Sequence, residues 1–87
     1  HTHVQTADEH ILPGGTGYIS DLGMTGIMDS ILGVKKEIIL NYYYNAGKHY
    51  RFEEEENGDV WFNGCVFEID NKTKSVVDIE RLRFSRI

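Results

Sequence analysis

Asn57-Gly58-Asp59-Val60-Trp61-Phe62-Asn63-Gly64-Cys65-Val66-Phe67-Glu68-Ile69 is the stretch that decides the fold class. Valine, isoleucine and aromatic residues crowd it, and these suit a pleated, half-buried surface. Asn57-Gly58 is the strongest short hairpin signal, because both central residues of a type I′ turn take positive φ. Counted outward from a two-residue turn there, Glu56 faces Asp59, Glu54 faces Trp61, Phe52 faces Asn63 and Tyr50 faces Cys65. Alternation then puts Tyr50, Phe52, Trp61, Cys65, Phe67 and Ile69 on one face, expected to be the buried one. Val60, Phe62 and Val66 make the other face partly apolar, so the strand is expected to be covered on both sides. A second turn at Asn71-Lys72-Thr73 leads to a third strand from Ser75 to about Phe84. Its apolar parity slips between Ile79 and Leu82, which predicts a bulge near Glu80-Arg81.

Upstream, Ile38, Ile39, Tyr42 and Tyr43 recur at helical spacing, and Gly47 is a natural C-terminal stop. The β-branched and aromatic content suits a strand as well, but the periodicity favours one helix at about 35–45. Asp29-Ser30 can cap a short turn that Gly33 ends. The fold class is therefore α/β, an α+β arrangement with one helix and an antiparallel β-hairpin or meander at 49–84.

The chain has 87 residues, with 9 Lys+Arg against 14 Asp+Glu and a net charge of −5. That length makes one domain at most. The net charge argues against a protein whose main task is to hold duplex nucleic acid. Its apolar runs are far shorter than the roughly 20 residues a membrane helix needs. The single cysteine cannot form an internal disulfide, and it excludes zinc sites built on several thiolates. A cytoplasmic location fits best. Residues 1–34 hold four acids, no Lys or Arg, and six of the nine glycines; residues 35–87 hold nine bases and ten acids. The first part reads as a loop-rich, site-bearing segment and the second as its scaffold, together a single partial domain. The chain opens on His1 without an initiator Met, so it is expected to be part of something longer.

His1-Thr2-His3 is the foremost chemical candidate. In an extended strand, residues two apart lie on one face, about 6.5–7 Å apart at Cα. Two such imidazoles can grip one metal ion, or one each of a close pair. A histidine-rich terminus of no function is the competing explanation. Gly14-Gly15-Thr16-Gly17 could aim backbone N–H groups at a phosphate, but it lacks a following Lys-Ser/Thr, and a tight turn after Pro13 explains it better. Glu53 to Glu56 could form a divalent-cation patch, although alternation would split them between two faces and a solvated strand end is simpler. Cys65 reads as a small core residue. His10 and His49 have no partner at a recognisable spacing.

The order His1-Thr2-His3-Val4-Gln5-Thr6-Ala7-Asp8-Glu9, Ile11-Leu12-Pro13-Gly14-Gly15-Thr16, Tyr18-Ile19-Ser20-Asp21, Gly23-Met24-Thr25-Gly26 and Asp29-Ser30 strongly resembles the C-terminal part of YmdB-like metallophosphoesterases, in the calcineurin-like superfamily. The match is close over 1 to about 34. It is looser beyond, through Lys36-Glu37-Ile38, Arg51-Phe52, Asn63-Gly64 and Glu68-Ile69-Asp70. Gly17, Leu22 and Ile27-Met28 depart mildly from the usual pattern.

This resemblance implies the C-terminal part of a four-layer α/β/β/α sandwich with two central mixed sheets. It implies hydrolysis of phosphodiester or phosphomonoester bonds, with 2′,3′-cyclic nucleotides as the associated substrates. His1 and His3 match the family's metal-ligating His-x-His, each on a different ion of a pair of divalent transition metals, iron, manganese or similar. The other ligands of that centre do not match any residue of this chain, so the chain alone is expected to be inactive. No membrane partner is expected, and a homo-oligomer of the intact protein is left open. The alternative is a small β-rich binding or structural module in which the N-terminal histidines are incidental.

Overall fold

The computed structural model describes residues 2–45 and 51–85. In chain order the elements are β1 (His10–Ile11), β2 (Gly17–Tyr18), β3 (Gly26–Ile27), α1 (Lys36–Tyr44), β4 (Val60–Ile69) and β5 (Val76–Ser85). β1 and β2 form a two-stranded antiparallel ribbon, and β3-β4-β5 form a three-stranded sheet in that order.

The β4–β5 pair is the frame. Its antiparallel register runs from Trp61 opposite Ser85 to Glu68 opposite Asp78. The connecting turn is built by Asp70, whose carboxylate accepts the backbone N–H groups of Lys72 and Thr73, both at 2.8 Å. Those bonds hold the Asp70 carboxyl below its usual range. The second turn and third strand are therefore where the sequence places them. The bulge is not: the register shifts between Glu68 and Ile69, where Ile69 pairs with Val76. The extra residue, Val77, sits next to the turn. There the ladder can twist without interrupting the run that pairs Phe62 with Phe84 and Val66 with Glu80.

The other neighbour of β4 differs from expectation. Gly26 and Ile27, not residues 50–56, pair with Trp61 and Val60. Of the expected arm, Tyr50 lies outside the described residues, and over 51–59 the backbone makes a single bridge, Glu54 to Val34. Asn57-Gly58 consequently does not close a type I′ hairpin. Gly58 has φ 130°, but Asn57 is not in the positive-φ region. Phe52 stays off the sheet, 52% exposed, with its ring edge-on to Tyr42 at 6.0 Å. Four successive carboxylates at 53–56 cost more as a paired strand than as a solvated loop, and Gly26–Ile27 takes the place beside Val60 and Trp61 that the arm would have filled.

The helix forms as read, beginning at Lys35 and closing with the Asn45 N–H on the Asn41 carbonyl; Gly47 lies outside the described residues. Ile38, Ile39 and Tyr42 are half-buried, but Tyr43 is 75% exposed.

The interior is thin. Ile27 and Asn63, 8% and 7% exposed, are the two side chains buried among the described residues. Cys65 is half-buried, and both burial and the Glu9 carboxylate push its thiol up. Phe67, Ile69, Val60, Phe62 and Val66 remain exposed, so the expected double coverage of the middle strand is absent. The radius of gyration is 17.5 Å over a body of 56 × 31 × 16 Å. A compact domain of this length would have a radius of about 12 Å. One three-stranded sheet carrying a short two-stranded ribbon cannot enclose a core.

The ribbon sits on the sheet by close approach. A Cβ on Gly17 would come within 2.5 Å of the Phe67 ring, whereas one on Gly14 would meet nothing within 4 Å. Gly17→Ala is expected to lower stability by about 1–3 kcal/mol through overpacking, and Gly14→Ala to leave it near unchanged. Urea unfolding of the two variants checks this; equal midpoints would show that the ribbon does not pack on Phe67.

Candidate metal site

The two expected ligands stand differently. His1 lies outside the described residues. His3 is placed, half-buried, and it is not in an extended strand: its φ is 59°. In that left-handed conformation its carbonyl accepts the Met24 N–H at 3.0 Å. Its ring meets the other side of the same loop region. Nδ1 lies 3.0 Å from the Leu32 carbonyl oxygen. A carbonyl only accepts, so Nδ1 is the donor, and the lone pair of the neutral ring is on Nε2.

The segments on either side of His3 are laced together by polar contacts. The Thr2 hydroxyl donates to the Asp21 carboxylate at 2.8 Å, and the Gly23 N–H donates to the same carboxylate at 2.8 Å. The Gly23 bond, then the Thr2 bond, hold the Asp21 carboxyl below its ordinary range. The Thr6 N–H reaches the Asp21 carbonyl at 3.1 Å. Asp8 accepts from the Ser20 hydroxyl, from the Ser20 N–H at 3.1 Å and from the Thr6 hydroxyl at 2.6 Å. Its carboxyl is held far below the usual carboxylate value, first by the Ser20 hydroxyl and then by that of Thr6.

This laced unit is bolted to the sheet by two amide side chains. Gln5 Nε2 donates to the Leu82 carbonyl at 2.8 Å, and Asn63 Nδ2 donates to the Met24 carbonyl at 2.6 Å. Sequence reasoning missed both as site-building residues. An isolated Asn between Phe62 and Gly64 carries no signal beyond its being polar on a face otherwise read as apolar.

Beside His3 lies an open groove of about 390 Å³, walled by Met24, Gly33, Val34, Glu54 and Glu55. Two lysines of the scaffold are held by carboxylates: Lys36 pairs with Asp29 at 2.6 Å and Lys35 with Glu53 at 3.3 Å. Among the described residues no three His, Cys, Asp or Glu side chains cluster in metal-ligating geometry, the acidic run 53–56 included. The glycine loop is a turn, as the simpler explanation had it: Gly15 N–H donates to the Leu12 carbonyl at 2.8 Å, and the Gly15 carbonyl accepts from Val76 at 2.8 Å. His10 gives its Nδ1 hydrogen bond to the Asp8 carbonyl at 2.6 Å, and His49 lies outside the described residues.

Solved structures share this architecture. A chain described as a novel phosphatase from Mycoplasma pneumoniae superposes with a TM-score of 0.87 at 37% identity, covering 98% of this chain and 30% of that one. A hypothetical protein from Thermus thermophilus superposes with a TM-score of 0.88 at 31% identity, covering 100% of this chain and 33% of that one. The α/β fold is thus a part of larger structures, one of them a phosphatase. Residues 1–82 match the family model described as YmdB-like protein, and the chain belongs to that family. The 2′,3′-cyclic-nucleotide 2′-phosphodiesterase of Bacillus subtilis (strain 168) is 49% identical over 82 residues, which are 94% of this chain and 30% of that protein. The chain therefore spans about a third of the length of its relatives. Among the described residues no helix is long and apolar enough to cross a membrane.

The Asp8 contacts set a pH dependence. A carboxyl whose folded value is depressed stabilises fully above the ordinary value, about 3.9, and loses that contribution as pH falls through the folded value. The Ser20 amide resonance, followed by NMR from pH 7 downward, is expected to titrate well below 3.9. A midpoint at the ordinary carboxylate value would show that the hydroxyl pair does not hold Asp8.

Proposed function

We propose that this chain carries part of a dinuclear metal site, with His1 and His3 each a ligand to one of two divalent transition-metal ions, iron, manganese or similar. We propose further that the whole enzyme hydrolyses phosphodiester or phosphomonoester bonds, 2′,3′-cyclic nucleotides foremost. The observation that carries this reading is the His3 ring, which gives its Nδ1 hydrogen to a backbone carbonyl and keeps its lone pair on Nε2. Metal-ligating histidines are held in this manner. The name of the Bacillus subtilis relative supports the substrate class. The family match favours this reading over a free-standing binding module.

The donor chemistry fits. Imidazole suits iron, zinc, copper and nickel. The groove beside His3 is lined by Glu54 and Glu55 and by no Lys or Arg side chain. Such a surface repels a phosphate unless cations intervene. When bound, divalent ions supply that positive charge, polarise a phosphoryl oxygen and lower the pKa of a water. The residues of this chain do the holding. Thr2, Asp21 and the Met24 N–H fix the backbone on both sides of His3, and Gln5 and Asn63 fix that unit to the sheet. The remaining ligands of the pair come, in this reading, from the two thirds of the relatives' length that this chain does not span.

A chimera tests it: the Bacillus subtilis relative with its matching third replaced by residues 1–87. It is expected to hydrolyse 2′,3′-cyclic AMP with added Mn²⁺ or Fe²⁺ and to lose that turnover on His3→Ala. The 87-residue chain alone is expected to bind Zn²⁺, Ni²⁺ or Cu²⁺ weakly through His1 and His3 and to hydrolyse nothing. A chimera indifferent to His3→Ala, or turnover by the chain alone, would contradict the reading.

A further inference from the structure

We propose that the tight turn at 31–34 is a positioning device for His3, in which the Leu32 carbonyl holds the imidazole in the one neutral tautomer that presents Nε2 to a metal ion. This rests on the metal-site reading above. Ile31 and Val34 exchange both backbone hydrogen bonds, each 2.9 Å long. Between them Leu32 has φ 54° and Gly33 φ 90°, the type I′ signature of positive φ at both central positions. Glycine adopts this freely, but leucine does not, and asparagine or glycine is the ordinary choice at the first position. The Leu32 side chain is exposed, so burial does not explain its presence there.

A strained residue of this kind persists only where its surroundings over-determine it. Here they do. The Ser30 hydroxyl donates to the Ile27 carbonyl at 2.6 Å and accepts the Gly33 N–H at 3.1 Å. The Gly33 carbonyl accepts the Glu55 N–H at 2.8 Å, and the Lys35 N–H reaches the Glu53 carbonyl at 2.9 Å. The turn's own bonds use Ile31 and Val34, so the Leu32 carbonyl is left over, and it accepts from His3 Nδ1 at 3.0 Å. His3 is itself left-handed, a conformation histidine tolerates better than leucine does. The contact has a chemical consequence. A neutral imidazole in water prefers its proton on Nε2; the bond to Leu32 reverses that preference and leaves Nε2 as the donor atom. Leu32 is thus a positioning residue, acting through its backbone.

The test compares the 87-residue chain with Leu32→Val and Leu32→Asn. A β-branched residue resists positive φ, whereas asparagine tolerates it. Long-range ¹H–¹⁵N spectra at about pH 8, where imidazole is neutral, read the His3 tautomer directly. The unchanged chain and Leu32→Asn are expected to carry the proton on Nδ1. Leu32→Val is expected to shift toward the Nε2–H form and to bind Zn²⁺, titrated as the metal alone, about 10–100-fold more weakly. The Glu55 amide reports whether the turn survives; if Leu32→Val melts it, Ser30→Ala, which removes one brace, is expected to give the same tautomer shift in smaller measure. A proton on Nε2 in the unchanged chain, or a tautomer unmoved by either variant, overturns the proposal. An Nδ1–H ring whose His3→Ala change leaves Zn²⁺ affinity intact overturns the metal-site reading while upholding the tautomer assignment, which separates the two.

Discussion

The hydrogen bond from Asn63 to the Met24 carbonyl is the contact on which the site region depends. Asn63 sits in the β4–β5 ladder, paired with Arg83, and is one of the two buried side chains among the described residues. The strand that carries it is paired with β5 from Trp61 to Ile69, and the loop it reaches is held by hydrogen bonds. A buried amide that donates to a loop carbonyl converts the rigidity of the sheet into a fixed position for that loop. Its other atom, Oδ1, is buried without a partner among the described residues. An unsatisfied buried acceptor costs about 1–3 kcal/mol, so apolar side chains would suit this position better on stability alone. Placement of the loop is what the amide contributes.

From that anchor the rest follows outward. Met24 N–H holds the His3 carbonyl, Gln5 takes the preceding segment to the Leu82 carbonyl, and the turn after β3 supplies the Leu32 carbonyl to the His3 ring. Polar contacts dominate because the body is too flat to bury side chains. Charge does a related job at the edges. Asp8 and Asp21 are surrounded by hydroxyl and N–H donors instead of by lysine or arginine. Residues 1–34 hold no Lys or Arg, so these carboxylates are satisfied without an ion pair to a base of their own segment.

Much of the scaffold is legible from local chemistry. The Asp70 turn, the helix and the loop after Pro13 each depend on residues within a few positions of one another, and the turn sets β5 beside β4. The family is legible too, from the run between His1 and Ser30, and the match over residues 1–82 bears it out. The misplaced hairpin has a nonlocal cause. Asn57-Gly58 has the ordinary hairpin composition, yet the pairing of β4 is decided by Gly26–Ile27, a two-residue strand with no signature of its own. The type I′ geometry occurs instead at Leu32-Gly33, where a leucine hides it from any reading by residue preference.

The sequence by itself determined the elements whose hydrogen bonds close locally, the family, and the residue types available for a metal. Turn chemistry and helical spacing act over a few residues, and a one-dimensional reading captures that range. The tertiary structure alone decided which strand lies beside β4, which carbonyl meets His3, and that His3 is left-handed instead of extended. The first joins residues 26–27 to residues 60–61, and the His3 contacts join residue 3 to residues 24 and 32. They depend on competition between distant partners for the same backbone groups: four adjacent carboxylates at 53–56 make a poor strand, so the short segment carrying Ile27 takes the edge.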